Sequence, residues 1–362
     1  MLSKEEINRY SRHIILPEIG MDGQEKLKHA KVLVIGAGGL GCPLLQYLVS
    51  AGVGTIGIVD DDVVDETNLQ RQVLYNKEEV GLKKVEVAKK KLQLQNPYIH
   101  LASHALRLTS QNALDIIKDY DLVIGGPDNF PTRYLVNDAC VMLNKPFVFG
   151  SIYKFEGQVS VFNYKNGPTY RCLFPEPPKD SPNCSEIGVL GVLPGIIGTL
   201  MANEALKIIF GIGEVLSGKL FVFDTLTSQT KIISFEKNQE NFKIDRLIDY
   251  ENFCMLKSNL IDEISAKELQ TLIEKRETIQ IIDVRESSEF SEFNINGINI
   301  PLKTISNNAD KIRKDIPVIV HCQRGGRSRK AIELLQKDFG FTNLYNLTGG
   351  IEAITPSESS VR

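Results

Sequence analysis

The sequence has no large excess of charge of either sign. Its 42 Lys and Arg oppose 45 Asp and Glu, which leaves a formal net charge of -3 at pH 7. A broad electrostatic nucleic-acid binder, or a protein held on an anionic membrane, needs a dominant positive surface, so we exclude both classes. A local basic pocket stays compatible with this balance.

Long hydrophobic runs and a cysteine framework are also missing. The longest nearly uncharged apolar stretch, residues 188–200, is too short to span a bilayer. Residues 1–6 contain no apolar run, so no secretory signal is expected. The six cysteines have no regular spacing and indicate reduced thiols rather than disulfides. These absences predict a cytoplasmic protein with no membrane partner.

What is present predicts a soluble α/β protein of more than one domain. At roughly 150 residues per domain, the 362 residues suggest two or three domains. Apolar or β-branched runs predict strands at residues 31–35, 55–59, 122–124 and 146–149. Helices are predicted at residues 40–51, 81–95 and 194–210. This alternation predicts a mostly parallel sheet with helices on both faces.

Two stretches interrupt the alternation and divide the chain. The Pro-rich residues 164–186 predict a long irregular segment. A charged, Asn-rich stretch at residues 236–259 precedes a fresh cycle of helices and strands. We therefore predict a first domain at residues 1–248, a linker at residues 249–260 and a smaller α/β domain at residues 261–362.

A glycine-rich turn follows the first predicted strand. The segment Gly36-Ala37-Gly38-Gly39-Leu40-Gly41 fits the pattern G-x-G-x-x-G between a strand and a helix. Glycines let the backbone approach a phosphate, and the helix N-terminus offers free N–H groups to the anion. Asp60 ends the next strand, where a carboxylate commonly binds a ribose hydroxyl. The motif predicts a nucleotide site and, taken alone, favours an NAD-dependent dehydrogenase.

Charged and polar residues further along favour a different reaction. Asn68, Gln70, Arg71 and Lys84 come shortly after Asp60, and Asp128-Asn129 follows the fourth predicted strand. Attack on the α-phosphate of a nucleotide needs cations, and an Asp able to hold Mg²⁺, to neutralise the leaving pyrophosphate. Hydride transfer needs neither.

These motifs together resemble the MoeB/ThiF family, also called HesA/MoeB/ThiF, the bacterial relatives of ubiquitin-activating E1 enzymes. The resemblance covers about residues 3–235 and includes the segments 9–16, 36–41, 60–62, 68–72, 81–86 and 128–129. It implies a Rossmann-like adenylation domain in a homodimer. It also implies that ATP and Mg²⁺ are used to adenylate the C-terminal glycine of a small ubiquitin-like sulfur carrier, similar to MoaD or ThiS and ending in Gly-Gly.

The resemblance also implies roles for individual residues. Asp60 would bind the ribose and Asp128 the Mg²⁺, whereas Lys84, Arg71 and Arg12 would contact the phosphates, with Arg12 reaching in from the other protomer. The remaining nucleotide-binding residues implied by the motifs are Gly36, Gly38, Gly39, Gly41, Asp62, Asn68, Gln70 and Asn129.

Members of this family often carry two C-x-x-C pairs that hold a structural Zn²⁺, an ion suited to four thiolates. Here Thr169 stands where the first Cys of the first pair is expected, followed by Cys172. The second pair should fall near residues 235–242, where no Cys occurs, and Cys254 is isolated. We therefore predict no zinc site and interpret Cys172 as a small core residue.

Cys184 ends the Pro-rich segment and has two open interpretations. An irregular segment can expose a nucleophilic thiol. The resemblance implies a Cys at this place that takes the activated carrier as a thioester or an acyl disulfide, but some members adenylate without it. A covalent role and a non-catalytic loop Cys therefore both stay open, whereas Cys42 and Cys140 lie in helical patterns and are predicted core residues.

The second domain carries the loop Cys322-Gln323-Arg324-Gly325-Gly326-Arg327 between a strand and a helix. Its N–H groups, with Arg324 and Arg327, would stabilise an anion on sulfur and lower the thiol pKa. Cys phosphatases place the Arg after five intervening residues, and here it follows after four. This loop and other segments within residues 262–354 resemble rhodanese signatures, although Asn294 replaces a usual His and the usual Trp after Gly349-Gly350 is absent.

The two domains together predict ATP-dependent adenylation of a sulfur carrier, followed by sulfur transfer from a Cys322 persulfide to give a thiocarboxylate. An NAD-dependent oxidoreductase fused to a sulfurtransferase, and a catalytically degenerate carrier-binding scaffold, are the alternatives. The sequence leaves the pathway open between molybdopterin, thiamine, cysteine and tRNA thiolation. It also leaves the sulfur donor open between a cysteine desulfurase and thiosulfate.

Overall fold

The chain divides into two compact units, Met1–Cys254 and Met255–Arg362, in a computed structural model that describes residues 1–178, 188–254 and 261–354. The first unit continues beyond residue 248, where the predicted linker starts. Tyr250 and Cys254 are buried there in an aromatic core, which ties the short helix between them to the first unit.

The first unit contains an eight-stranded sheet in the order β3-β2-β1-β4-β5-β6-β7-β8. From β3 to β5 the strands are parallel, and β6, β7 and β8 add antiparallel pairs. The mostly parallel sheet predicted from the sequence is thus confirmed. The strands are β1 Lys31–Ile35, β2 Thr55–Val59, β3 His100–His104, β4 Leu122–Gly125, β5 Phe147–Tyr153, β6 Glu156–Phe162, β7 Lys219–Asp224 and β8 Gln229–Ser234.

Helices cover both faces of this sheet. In β1, Val32 and Val34 belong to one core while Leu33 and Ile35 belong to the other, which explains the continuous apolar run of a strand buried on both faces. The helices are α1 Lys4–Arg9, α2 Ser11–Ile14, α3 Gly20–His29, α4 Gly41–Ala51, α5 Lys84–Gln95, α6 Ala113–Ile117, α7 Phe130–Met142, α8 Tyr170–Leu173, α9 Leu193–Phe210 and α10 Tyr250–Phe253.

Helix α9 is long and apolar enough to cross a membrane, by length and composition only. It begins within the apolar stretch noted in the sequence and continues to Phe210, beyond the end of that stretch. In the structure it packs against α3, α4, β5 and β6, and half of it is buried. A core helix that is covered by a sheet and two other helices needs such a composition, so packing accounts for it.

The second unit is a smaller α/β fold with a five-stranded parallel sheet in the order β11-β10-β12-β13-β9. The central strand β12 leads directly into the cysteine loop and the helix that follows it. The elements are β9 Asp262–Ile264, α11 Ala266–Glu274, β10 Gln280–Asp283, α12 Ser287–Glu292, β11 Ile298–Asn299, β12 Val318–His321, α13 Gly326–Phe339 and β13 Leu344–Leu347.

Candidate functional site

A cavity of about 750 Å³ opens in the first unit where the strand order reverses between β1 and β4. Parallel α/β sheets bind ligands at this kind of switch point. The structure brings most of the predicted nucleotide-binding residues together in its wall. They are Gly36, Gly38, Gly39, Gly41, Asp60, Asp62, Asn68, Gln70, Arg71, Lys84, Asp128 and Asn129.

Arg12 is placed apart from this set. It lies exposed on α2 and is not among the residues that line the cavity within one chain. Its role in the site of a second protomer therefore stays a prediction.

The glycine loop at this cavity is held by hydrogen bonds to the main chain of Ala37. The Ala37 N–H donates to Asp60 Oδ2 at 2.8 Å, and the Ala37 carbonyl accepts from the Tyr75 hydroxyl at 2.8 Å. A Cβ at Gly41, where α4 begins, would overlap the Gly36 carbonyl. Only glycine therefore allows this turn, which aims a helix N-terminus at the cavity and fits a bound phosphate.

Lys84 is the buried cation of the cavity. It opens α5, is only 4% exposed, and its Nζ lies 2.9 Å from Asp62 Oδ2. Asp62 is largely exposed, so the pair joins a fixed ammonium to a hydrated carboxylate. Such an ammonium can exchange this partner for a phosphate oxygen without leaving its buried position.

Carboxylates at two places could hold a metal ion. Oxygens of Asp60, Asp61 and Asp62 lie within 4.8 Å of one another. Burial raises the pKa of Asp60, and the charge of Lys84 opposes this effect. Across the cavity, Asp128 is exposed after β4, and its Oδ1 accepts from the Asn129 amide at 3.3 Å. Both groups offer the hard oxygen ligands that suit Mg²⁺.

Asn129 also has a structural task that its sequence motif did not reveal. Its Oδ1 accepts from the Thr132 N–H at 2.9 Å and caps α7, with a proline in the first turn. This is the side-chain cap preferred at helix N-termini. The cap fixes the turn that presents Asp128 to the cavity.

Sequence reasoning missed Arg133, which lines the same cavity from α7. Its Nε donates to the Pro127 carbonyl at 2.9 Å, and its guanidinium lies 4.8 Å from the centre of the Phe130 ring. The signal was available, because Arg133 follows Asp128-Asn129 by about one helical turn. Gln72 belongs to the segment 68–72 but was not among the predicted nucleotide-binding residues. It also lines the cavity and is almost fully buried.

The positions at which other members of the family carry zinc-binding cysteines form a hydrogen-bonded cluster in this chain. Cys172 Sγ lies 3.4 Å from the Thr169 N–H, 3.3 Å from the Asn238 N–H and 3.7 Å from the Asn241 side-chain amide. Asn238 and Asn241 have the spacing of a C-x-x-C pair, so polar groups occupy three of four ligand positions. One thiol with two amides and a hydroxyl does not fit structural Zn²⁺.

The interpretation of Cys172 as a core residue is wrong, because its side chain is only partly buried among polar groups. Burial would raise the pKa of this thiol, but hydrogen bonds from Thr169, Asn238 and Asn241 outweigh it and lower the pKa. Cys42 and Cys140 are buried as predicted, and burial raises the pKa of both. Cys184 lies outside the described residues.

In the second unit, Cys322 lies at the carboxyl end of β12 and is 2% exposed. Its Sγ accepts from the Gly325 N–H at 3.2 Å and lies 3.5 Å from the Ser328 hydroxyl. Burial would raise the pKa of the thiol, but hydrogen bonds from Ser328 and the loop N–H groups outweigh it and lower the pKa. A thiolate is the reactive form of cysteine, so this loop favours nucleophilic sulfur chemistry.

Each of the two loop arginines pairs with a carboxylate, and the Arg327 guanidinium also interacts with Cys322. Arg327 makes two contacts of 2.7 Å with Glu289 on α12, and this pairing holds the pKa of Glu289 at about 2. Arg324 is largely exposed and lies 2.9 Å from Glu352. The Arg324 side chain thus engages Glu352, whereas its main-chain N–H contributes to the lowered pKa of Cys322. Stabilisation of the sulfur by the Arg324 guanidinium stays a prediction.

His321, directly before Cys322, is fully buried, and burial lowers its pKa. Its ring nitrogens have no hydrogen-bond partner among the described residues, although Nε2 lies 3.8 Å from Asp283 Oδ2. A neutral imidazole inside a core has a structural role rather than that of a base.

Comparison with known proteins identifies a family for each of the two units. Residues 10–244 match the model of the ThiF family, and residues 265–356 match that of the rhodanese-like domain. The chain belongs to the ThiF family. The family and the two-domain architecture predicted from the sequence are thus confirmed.

Two relatives show how far the likeness extends. The "Probable adenylyltransferase/sulfurtransferase MoeZ" of Mycobacterium tuberculosis is 45% identical over 368 residues, covering 97% of this chain and 93% of that protein. The "Sulfur carrier protein adenylyltransferase" of Thermus thermophilus is 52% identical over 268 residues, covering 70% of this chain and 99% of that protein.

Among solved structures, the chain is similar to E. coli MccB bound to ATP, with a TM-score of 0.57 and 25% identity. That match covers 64% of this chain and 73% of MccB. The ThiF-family chain is therefore related over nearly its full length to proteins named for adenylylation and sulfur transfer.

Proposed function

We propose that this ThiF-family chain uses ATP to adenylate the C-terminal glycine of a small sulfur-carrier protein and then supplies sulfur from a Cys322 persulfide. The observation that carries the first step is the convergence of the glycine loop, buried Lys84 and two groups of carboxylates on one cavity. The names of its relatives, and the ATP bound to similar MccB, support the same activity.

In the adenylation step, the carrier carboxylate attacks the α-phosphorus of ATP, and the bond to the pyrophosphate breaks. Lys84 and Arg71 would neutralise the leaving pyrophosphate, and Arg12 would add a further cation from a second protomer of a homodimer. Asp60 would orient the ribose. Asp128 would hold Mg²⁺, which supplies further charge neutralisation when it is bound. The products are the carrier acyl-adenylate and pyrophosphate.

In the sulfur step, the terminal sulfur of a Cys322 persulfide attacks the acyl carbon and AMP leaves. A thiol then attacks the Cys322 sulfur of the resulting acyl disulfide, which releases the carrier thiocarboxylate and leaves a mixed disulfide on Cys322. A second thiol reduces this mixed disulfide and releases the Cys322 thiolate. The N–H groups of residues 324–325 stabilise negative charge on the Cys322 sulfur when it acts as a leaving group. We place these reactions in the cytoplasm, where thiols stay reduced.

The decisive experiment is ATP–pyrophosphate exchange with a panel of small Gly-Gly-ended carriers, each paired with a version that lacks its last glycine. We expect exchange only with an intact cognate carrier, which would also identify the partner. Cys322→Ser should retain exchange and lose thiocarboxylate formation. Binding of NAD(H) instead of ATP and Mg²⁺ would overturn the proposal in favour of a dehydrogenase. Carrier binding without exchange would indicate a scaffold.

A further inference from the structure

Pairs of arginine and carboxylate line the rim of the Cys322 loop. Among the described residues, each guanidinium that belongs to the loop or contacts it lies against a carboxylate. The pairs are Arg285–Asp283, Arg324–Glu352 and Arg327–Glu289, with N–O distances of 2.7, 2.9 and 2.7 Å. A surplus of positive charge would strengthen the binding of an oxyanion, and these carboxylates offset the arginine charges that would supply it.

Glu352 is fixed at this rim by its main chain. The Ile351 N–H donates to the Cys322 carbonyl at 2.8 Å, and the Glu352 N–H donates to the Gln323 carbonyl at 3.2 Å. A Cβ at Gly350 would lie 2.5 Å from both of these carbonyl oxygens, so the turn packs directly on the loop backbone. The position of the Glu352 carboxylate is therefore restricted by the main chain of this turn as well as by its own side chain.

The carboxylate also engages two loop side chains. It accepts from Gln323 Nε2 at 3.0 Å and from Arg324 Nε at 2.9 Å. These hydrogen bonds lower the pKa of Glu352, so it carries its negative charge at neutral pH. A donor that approaches Cys322 past Arg324 thus meets a carboxylate as well as a guanidinium.

We propose that Glu352 is a specificity residue that disfavours dianionic sulfonate donors such as thiosulfate relative to persulfide donors of lower negative charge. The inference rests on the proposed sulfurtransferase function of this loop. It selects between the two classes of donor that the sequence leaves open.

The two donors place different charges at the rim. With thiosulfate, the Cys322 thiolate attacks the sulfane sulfur, the S–S bond breaks, and sulfite leaves with the electron pair. This reaction brings a dianion beside Glu352. With a persulfide R–S–SH, the thiolate attacks the terminal sulfur, R–S⁻ leaves, and the proton remains to be shared between the two products. The first reaction therefore gains more from a surplus of positive charge at the rim than the second.

The test uses the full chain and compares Glu352→Gln and Glu352→Lys with the unmodified protein. Glu333→Gln, at an exposed position on α13, is the matched control for loss of one negative charge. Sulfur loading of Cys322 is measured by mass spectrometry and kinetics with thiosulfate, with cysteine persulfide, and with a persulfidated cysteine desulfurase. The last two donors distinguish a small from a protein-borne persulfide.

We expect Glu352→Gln to raise the ratio of kcat/KM for thiosulfate over that for cysteine persulfide by roughly two- to tenfold, as suits one exposed charge facing a dianion. Glu352→Lys should raise it further, mainly through a lower KM for thiosulfate, and high salt should reduce both effects. Glu333→Gln should leave the ratio unchanged.

An unchanged or lower ratio in both Glu352 variants would overturn the inference, as would an equal loss with every donor, because that result assigns Glu352 a purely structural task. Failure of the unmodified protein to load Cys322 from any donor would overturn the proposed sulfurtransferase function itself, and the inference with it.

Discussion

Replacing Lys84 with methionine tests the nucleotide site most directly. Methionine keeps an unbranched apolar stem of similar size in a position that is 4% exposed, and it removes the only charge of the side chain. The partner carboxylate, Asp62, is largely exposed and becomes hydrated when Lys84 is lost. The substitution also removes the positive charge that opposes the burial of the Asp60 carboxylate. Asp60 keeps its hydrogen bonds from the Ala37 and Asp62 N–H groups, so we expect only a modest decrease in the melting temperature.

The effect on catalysis should be much larger than the effect on stability. Lys84 is a preorganised cation in a cavity, and loss of one such group from a site that stabilises developing charge costs about 100- to 1,000-fold in kcat. We expect a decrease of this order in carrier-dependent ATP–pyrophosphate exchange.

Lys83 provides a matched control, because it is the neighbouring lysine but is exposed, with its Nζ near the Asp61 carbonyl. Lys83→Met should keep exchange within about threefold of the unmodified protein, as expected for an exposed charge. Exchange that survives Lys84→Met at a similar level, or an equal loss in both variants, would refute the assignment of Lys84 to the phosphates.

Three further predictions concern other residues. Arg12→Ala and Lys84→Met are each expected to be inactive alone, and mixing them under conditions of subunit exchange should restore part of the ATP–pyrophosphate exchange; no recovery would contradict the placement of Arg12 in the partner's site. Because the pKa of Cys322 is lowered, its alkylation by iodoacetamide should reach half of its maximal rate at a lower pH than that of free cysteine, and an equal or higher midpoint would contradict the hydrogen-bonded thiolate. Metal analysis should find no zinc in the unmodified chain. The triple substitution Thr169→Cys, Asn238→Cys and Asn241→Cys completes a set of four thiolates and should bind about one zinc per chain. A triple variant that binds no zinc would contradict this assignment of the ligand positions.

The elements that could be predicted were those whose conformation is determined by residues that are close together in the sequence. Strand β1 is buried on both faces and reads as an unbroken apolar run. The glycine loop could be recognised because the turn at Gly41 admits no other residue. Strand β3 was missed because it lies at the edge of the sheet, where half-exposed polar residues such as His100 are tolerated and blur the strand pattern.

The candidate site also contains residues that could be predicted from the local sequence and contacts that could not. Residues next to a strand end, such as Asp60 and Asp128, could be assigned from their position along the chain. Contacts between distant segments could not, because no local periodicity encodes them. The lack of paired cysteines led to the prediction of no zinc site but gave no sign that Asn238 contacts Cys172. Likewise, nothing in the cysteine loop itself indicated that Glu352 would pair with Arg324.

Helix α9 has a consequence for how the protein is made. An apolar segment of this length is hazardous while it is exposed on a nascent chain, since it can aggregate or enter a membrane. The surfaces that cover it belong to α3, α4, β5 and β6, and all of these precede it in the sequence. The elements that cover α9 are therefore synthesised before α9 itself. This order along the chain shortens the time for which the apolar helix is exposed during synthesis.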